Sequence, residues 1–273
     1  MSQIKALPPS PQVLPKVLEA LGRETTTLEE IGELVALDPA LTAKLLHYCN
    51  SVYFRGHEPV HSVPEAIGRV GFQTIYALVS AVTGGKVFNA PPGSGIDGDQ
   101  IWRHSLTTAF GCRFIAEDIE EDSNLLFTAG LLHDVGRVIL AQAKGAEYAR
   151  LLSQAAAAGE NSSDREKAVY GFTHGDVGAG LMESWNLPPA LIEAVRFHHQ
   201  PLAAGAAKKT AASVCVGDAL AHNFEHPAES LDRVDPTVHG AMEMLGLGSR
   251  HMELYEEQMQ ESWNFVNVLI QMR

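Results

Sequence analysis

Imidazoles and carboxylates recur along the chain at intervals suited to holding metal ions or moving protons. They are His104, the adjacent pair His133-Asp134, His174, the pair His198-His199, and Asp218. Each falls in a stretch with helical apolar spacing, so five successive helices can each turn donors inward. A mixed nitrogen and oxygen set suits borderline divalent metals such as iron, manganese or zinc, and a carboxylate can bridge two ions. Neighbours on a helix project about 100° apart, which lets one member of His133-Asp134 bind an ion while the other lies between two. The preceding run, residues 125–132, is nearly all apolar. Both polar groups are therefore buried, at a cost that partners must offset. A metal would satisfy both. The competing account has Asp134 capping a following helix, with His198 and His199 at a helix C-terminus.

The elements that must position these groups are helical. Thr27 with Glu30 and Ser62 with Glu65 match the capping box, and Asp38-Pro39 sets an N-cap acid before a proline suited to the first helical position. Behind Pro39, Leu41, Leu45 and Tyr48 share a face. No alternating strand pattern appears, so the fold class expected is all-α. Prolines and glycines in 89–100 break the helical pattern. Beyond them helices are expected over about 101–117, 124–142, 147–158, 174–186, 189–199, 210–224, 236–245 and 251–271. In the last, Met252, Tyr255, Met259, Trp263, Val266 and Ile270 form a stripe that either docks on the bundle or makes a dimer seam.

Composition narrows the function. With 20 Lys+Arg against 33 Asp+Glu the net charge is −13, which opposes binding to nucleic acid or to an anionic membrane. The apolar stretch 72–85 is too short to span a bilayer, and the first residues lack a signal-peptide core, so a cytoplasmic protein is expected. Cys49, Cys112 and Cys215 are odd in number and widely spaced, and read as buried free thiols. Lys208 and Lys209 read as a solvated helix start.

Gly130-Leu131-Leu132-His133-Asp134-Val135-Gly136-Arg137 resembles the motif of the HD superfamily of metal-dependent phosphohydrolases. Leu7-Pro8-Pro9-Ser10-Pro11, Asp38-Pro39-Ala40-Leu41-Thr42-Ala43-Lys44-Leu45-Leu46, Asn50-Ser51, Ser62-Val63-Pro64-Glu65-Ala66-Ile67, Val70-Gly71 and Trp185-Asn186-Leu187-Pro188 narrow it further. Together they resemble the HDOD domain, the HD-related output domain of bacterial signalling proteins, across residues 7–225. The resemblance implies an HD-like helical bundle, with an N-terminal helical lobe over 1–90, a metal-site lobe over 98–225 and C-terminal helices over 226–273 packing on the bundle. It also implies two ions, one on His104, His133, Asp134 and Asp218, the other sharing Asp134 with His174, His198 and His199.

Two functions follow from that resemblance. One is a regulatory output or interaction module with a retained metal centre, whose partner is a signalling protein or a small phosphorylated ligand, with a homodimer as a further option. The other is a metal-dependent phosphohydrolase using a metal-bound hydroxide, with Asp134 and Arg137 as its catalytic residues. Cyclic di-GMP hydrolysis is disfavoured. The HD-GYP enzymes carry Gly-Tyr-Pro after the histidine pair, whereas Gln200-Pro201-Leu202-Ala203-Ala204-Gly205 follows here, and Arg137 stands where they usually carry lysine.

Overall fold

The computed structural model describes residues 16, 20, 27–51, 54, 58–85, 87–227 and 235–271. The motif at 7–11 lies outside them. Among the described residues there is no strand, and the fold is all-α, as the sequence implies. The chain divides into two compact units, a smaller one within Ser10–Lys86 with the residues from Asn267, and a larger one over Val87–Val266.

The smaller unit holds α1 (Leu28–Ala36), α2 (Pro39–Cys49), α3 (Val63–Val70) and α4 (Phe72–Gly85). Its helix starts follow the capping chemistry. Thr27 Oγ1 accepts from Glu30 N at 3.2 Å, Asp38 Oδ1 from Leu41 N at 3.0 Å, and Ser62 Oγ from Glu65 N at 3.3 Å. Glu65 reaches back to accept from His61 N at 2.8 Å. Leu41 and Leu45 are buried, but the third fully buried member of that face is Cys49, with Tyr48 half-buried. Asn50 holds the α2–α3 connection in both directions, donating to Val60 O at 2.9 Å and accepting from Val60 N at 2.8 Å.

The larger unit contains α5 (Gly98–Asp118), α6 (Ser123–Leu132), α7 (Val135–Lys144), α8 (Ala146–Ala158), α9 (Ser162–Tyr170), α10 (His174–Ser184), α11 (Pro189–Phe197), α12 (Lys208–Glu225), α13 (Pro236–Leu245) and, as far as Val266, α14 (Ser249–Gln271). Two short 3₁₀ turns, Pro201–Ala203 and Gly205–Ala207, link α11 to α12. Two expectations need correction. The single helix expected over 124–142 is broken, because His133 closes α6 and Asp134 leaves helical geometry at φ −99°, ψ 8° before α7 begins. And α9 was not anticipated, since Ser162–Tyr170 lacks an apolar stripe, its one large aliphatic, Val169, being exposed.

Core packing explains the C-terminal stripe. Tyr255, Met259 and Val266 are buried, Tyr255 donates its hydroxyl to Asp118 Oδ2 at 2.6 Å, and Trp263 meets Phe224 at 5.1 Å. Phe110 stands edge-on to Phe127 at 5.5 Å and to Phe265 at 5.8 Å, joining α5, α6 and α14. As far as Val266 the stripe packs within the larger unit. Residues 123–144 are long and apolar enough to cross a membrane by composition, but 83% of their most apolar 18-residue stretch is buried inside the protein. All three cysteines are free and buried.

Glycine sets the spacing around α10. A Cβ on Gly136 in α7 would lie 1.9 Å from the His174 carbonyl oxygen, and one on Gly175 would lie 2.7 Å from the Arg196 carbonyl oxygen at the end of α11. Only hydrogen at these positions lets α10 lie against both neighbours, and that approach brings His174 to the His133-Asp134 junction. Gly136→Ala is accordingly expected to destabilise the fold by at least about 1–3 kcal/mol, the usual cost of overpacking. Gly240→Ala, a helical site with no atom within 4 Å of the added Cβ, is expected to leave the melting temperature equal or higher. Thermal unfolding of the two variants checks this, and equal melting temperatures would refute the close-approach argument.

Candidate metal centre

All seven donors identified from sequence lie in the larger unit. His104 projects from the second turn of α5, His133 and Asp134 occupy the α6–α7 break, His174 opens α10, His198 and His199 follow α11, and Asp218 lies on α12. The structure brings them together. Three overlapping groups have mutually close ligand atoms, each within 4.8 Å: His104, His133 and Asp218; His133, Asp134 and His198; and His174, His198 and His199. Asp134 lies between the ends, with Oδ1 3.2 Å from His174 Nε2 and Oδ2 3.6 Å from His133 Nε2.

Hydrogen bonds fix which nitrogen faces inward. His133 Nδ1 lies 2.7 Å from Gly130 O, and His198 Nδ1 lies 2.7 Å from Val195 O. A carbonyl only accepts, so both Nδ1 atoms carry hydrogen, and in the neutral rings each Nε2 presents a lone pair. The Nε2 atoms of His198 and His199 lie 3.2 Å and 3.1 Å from His174 Nε2. Two nitrogens about 2.0–2.1 Å from a shared ion lie roughly 2.9–3.4 Å apart for angles between octahedral and tetrahedral, so this spacing fits. The inner atoms are also unsatisfied, since His133 Nε2 and Asp134 Oδ1 are buried without a hydrogen bond. Buried polar atoms ordinarily have partners. The donor set, its tautomers and its two orphaned atoms therefore fit a divalent metal. Asp134 makes no side-chain cap on α7, so the capping alternative fails for it. His198 does bond the end of α11, yet with the nitrogen that leaves Nε2 for the centre.

The charges are arranged to keep the carboxylates ionised. Burial works against ionised Asp134, but the Arg137 guanidinium, whose Nε lies 2.7 Å from Oδ2, holds it well below the usual carboxylate range. Asp218 is likewise lowered against its burial, by the hydrogen bond to His104 Nε2 at 2.8 Å. His104 is pushed up to about 10 despite burial, because it lies between Asp218 and Glu225. Burial lowers His133, and burial with neighbouring imidazoles lowers His198 further and brings His199 down to about 4. Sequence reasoning missed two acids here. Glu225 Oε2 meets His104 Nδ1 at 2.9 Å while its Oε1 accepts from the Thr107 hydroxyl, and Glu166, on the unanticipated α9, meets His174 Nδ1 at 2.8 Å. A lone acid at the end of a helix or inside a charged run carries no periodic signal.

A cavity of about 1140 Å³ opens beside the donors, and His104, Asp134, Arg137, His199 and Asp218 reach its wall. Arg137 is the sole Lys or Arg among its described lining residues, which also include the acids Asp97, Glu160, Glu225, Asp235 and Glu256. It also donates to Ser162 Oγ at 3.1 Å. Lys208 and Lys209 lie apart at the exposed start of α12, Lys209 paired with Glu121 at 3.1 Å.

Stability without metal should carry these charges in its pH profile. Unfolded histidine titrates near pH 6.5, so between about 4 and 6.5 the unfolded chain binds more protons than the buried His198 and His199, and stability falls as pH falls. His104 acts in the opposite sense, its contribution being complete below its unfolded value and lost as pH rises toward about 10. Melting in chelator across pH is expected to peak near neutrality, with His199→Gln flattening the acid limb and His104→Gln the alkaline limb.

Known proteins agree with this architecture. A crystal structure of an HDOD domain protein of unknown function from Geobacter sulfurreducens matches at 22% identity, covering 99% of this chain and 94% of that one, with a TM-score of 0.78. A protein from Shewanella amazonensis SB2B, provisionally named a phosphohydrolase, matches at 22% identity, 99% and 96% coverage and a TM-score of 0.74. A protein from Marinobacter aquaeolei VT8, provisionally named a signal transduction protein, matches at 22% identity, 97% and 59% coverage and a TM-score of 0.77. An uncharacterised protein of Treponema pallidum is 26% identical over 199 residues, 72% of this chain, and the chain spans 38% of that relative's length. At these identities the structural matches speak to the fold. The family model for the HDOD domain matches residues 7–201, most of the sequence, and the chain belongs to the HDOD domain family.

Proposed function

We propose that this HDOD chain is a regulatory module of bacterial signal transduction, built around a divalent metal centre, that binds a signalling protein or a small phosphorylated ligand. The observation that carries the reading is the pair of buried atoms without a hydrogen bond, His133 Nε2 and Asp134 Oδ1, among the converging donors. His104, His133, Asp134 and Asp218 would hold one ion, and His174, His198 and His199 with the shared Asp134 a second. A bound ion supplies fixed positive charge and Lewis acidity toward an anionic oxygen. The likeness to a provisionally named signal transduction protein supports the regulatory part.

Elemental analysis of protein purified without chelator or affinity tag tests the centre. About two equivalents of iron, manganese or zinc are expected, lost together in His133→Ala/Asp134→Ala. Folded protein without metal, whose melting temperature does not rise when these ions are added, would overturn the reading, since a ligand of the native state must stabilise it.

The cavity favours a second reading, a metal-dependent phosphohydrolase. Arg137 is aimed by Asp134 and Ser162 and brings a fixed guanidinium to the wall where phosphoryl oxygens would lie. The wall is otherwise acidic, so any turnover is expected to depend strictly on added metal. A screen of phosphomonoesters, nucleotides and cyclic dinucleotides with Mn²⁺, Fe²⁺ and Mg²⁺ checks this. Activity that survives Asp134→Ala would belong to a contaminant.

A further inference from the structure

His133 and His198 each end or follow a helix, so each finds a backbone carbonyl three residues earlier, at Gly130 and Val195, to receive its Nδ1 hydrogen. His174 cannot do this. It is the first residue of α10, and no helical turn precedes it. The acceptor comes instead from Glu166 on α9, whose Oε2 takes both the backbone N–H of His174 at 2.6 Å and its Nδ1 at 2.8 Å. The other oxygen, Oε1, accepts from the Tyr148 hydroxyl at 2.6 Å. Glu166, Tyr148 and His174 are all fully buried.

A helix cap alone does not account for this arrangement. Thr173 and Asp176 already cap α10 reciprocally, with Asp176 N donating to Thr173 Oγ1 at 3.1 Å and Thr173 N to Asp176 Oδ2 at 3.0 Å. A glutamine would satisfy Tyr148 and the His174 backbone equally well. What meets Nδ1 is instead a carboxylate, 2.8 Å away and enclosed in the interior, with the Tyr148 hydroxyl on its other oxygen. A full negative charge against Nδ1 fixes the ring's rotation and raises the basicity of Nε2, the effect carboxylates exert behind metal-bound histidines.

We propose that Glu166 is a positioning residue of the metal centre, orienting His174 and strengthening Nε2 as a donor beside His198 and His199. The proposal rests on the metal reading above, and it predicts a loss specific to the carboxylate charge. Glu166→Gln keeps an acceptor for His174 and removes the charge, so affinity for Co²⁺ or Zn²⁺ is expected to fall about 10–100-fold, with a changed Co²⁺ absorption spectrum. Tyr148→Phe leaves the carboxylate on His174 and is expected to lower the melting temperature while costing less than about threefold in affinity, well short of the loss expected behind a metal-bound histidine. A purely structural Glu166 would give the reverse pattern, with both variants less stable and both binding Co²⁺ with the wild-type spectrum and affinity, and that result would overturn the proposal. If Glu166→Gln does not fold, Glu166→Asp takes its place: the shorter charged side chain should bind metal more weakly than wild type, and wild-type affinity and spectrum would count against the proposal. Wild-type protein that binds neither ion would instead remove the metal reading, and Glu166's role with it, a failure separable from the first by the wild-type titration alone.

Discussion

An ionised carboxylate in an apolar interior must be compensated from several sides, and Asp134 is the point at which the larger unit does so. Its Oδ2 is held by Arg137 from the first turn of its own helix, and its Oδ1 faces His174 across the α7–α10 contact. Much of the surrounding architecture serves that carboxylate. The chain leaves helical geometry at Asp134, between α6, which His133 closes, and α7, whose first turn carries Arg137.

The compensation depends on backbone proximity. Gly136 and Gly175 hold α10 against α7 and α11 with no room for a methyl group, so the imidazole of His174 is placed by main-chain contact. Behind His104, His133, His174 and His198 the Nδ1 partners follow one rule. Where a histidine ends a helix, its Nδ1 uses a carbonyl of that helix; where it opens or lies within one, as His174 and His104 do, an acid from a distant segment supplies the acceptor. Glu166 and Glu225 thus complete two imidazoles that local backbone cannot complete.

Much of this was legible in the sequence because it is written in local patterns. The cap residues Thr27, Asp38 and Ser62, the apolar faces, and the adjacent His-Asp pair after residues 125–132 carry their meaning within a few positions. Trp185-Asn186-Leu187-Pro188 is a similar case: Asn186 takes φ +54°, a value asparagine tolerates, and lets the chain leave α10 before the prolines start α11. What stayed hidden depended on contacts between distant segments. Apolar periodicity ran through the His133-Asp134 break, since both flanks are buried. Helix α9 showed no stripe because the two residues it buries, Ser163 and Glu166, are polar. The capping pair Thr173 and Asp176 was present in sequence and passed over in favour of the histidine between them.

The cavity wall includes His104, Asp134, His199 and Asp218 but not His133, His174 or His198, which are almost wholly shielded from solvent. The donors therefore form a wetted rank and a shielded rank. Both proposed ion sites draw on both ranks, one joining His104 and Asp218 to His133, the other joining His199 to His174 and His198. A metal ion at either site would thus have donors toward the cavity on one side and donors closed off from water on the other, so a chelator would reach both sites from the cavity side.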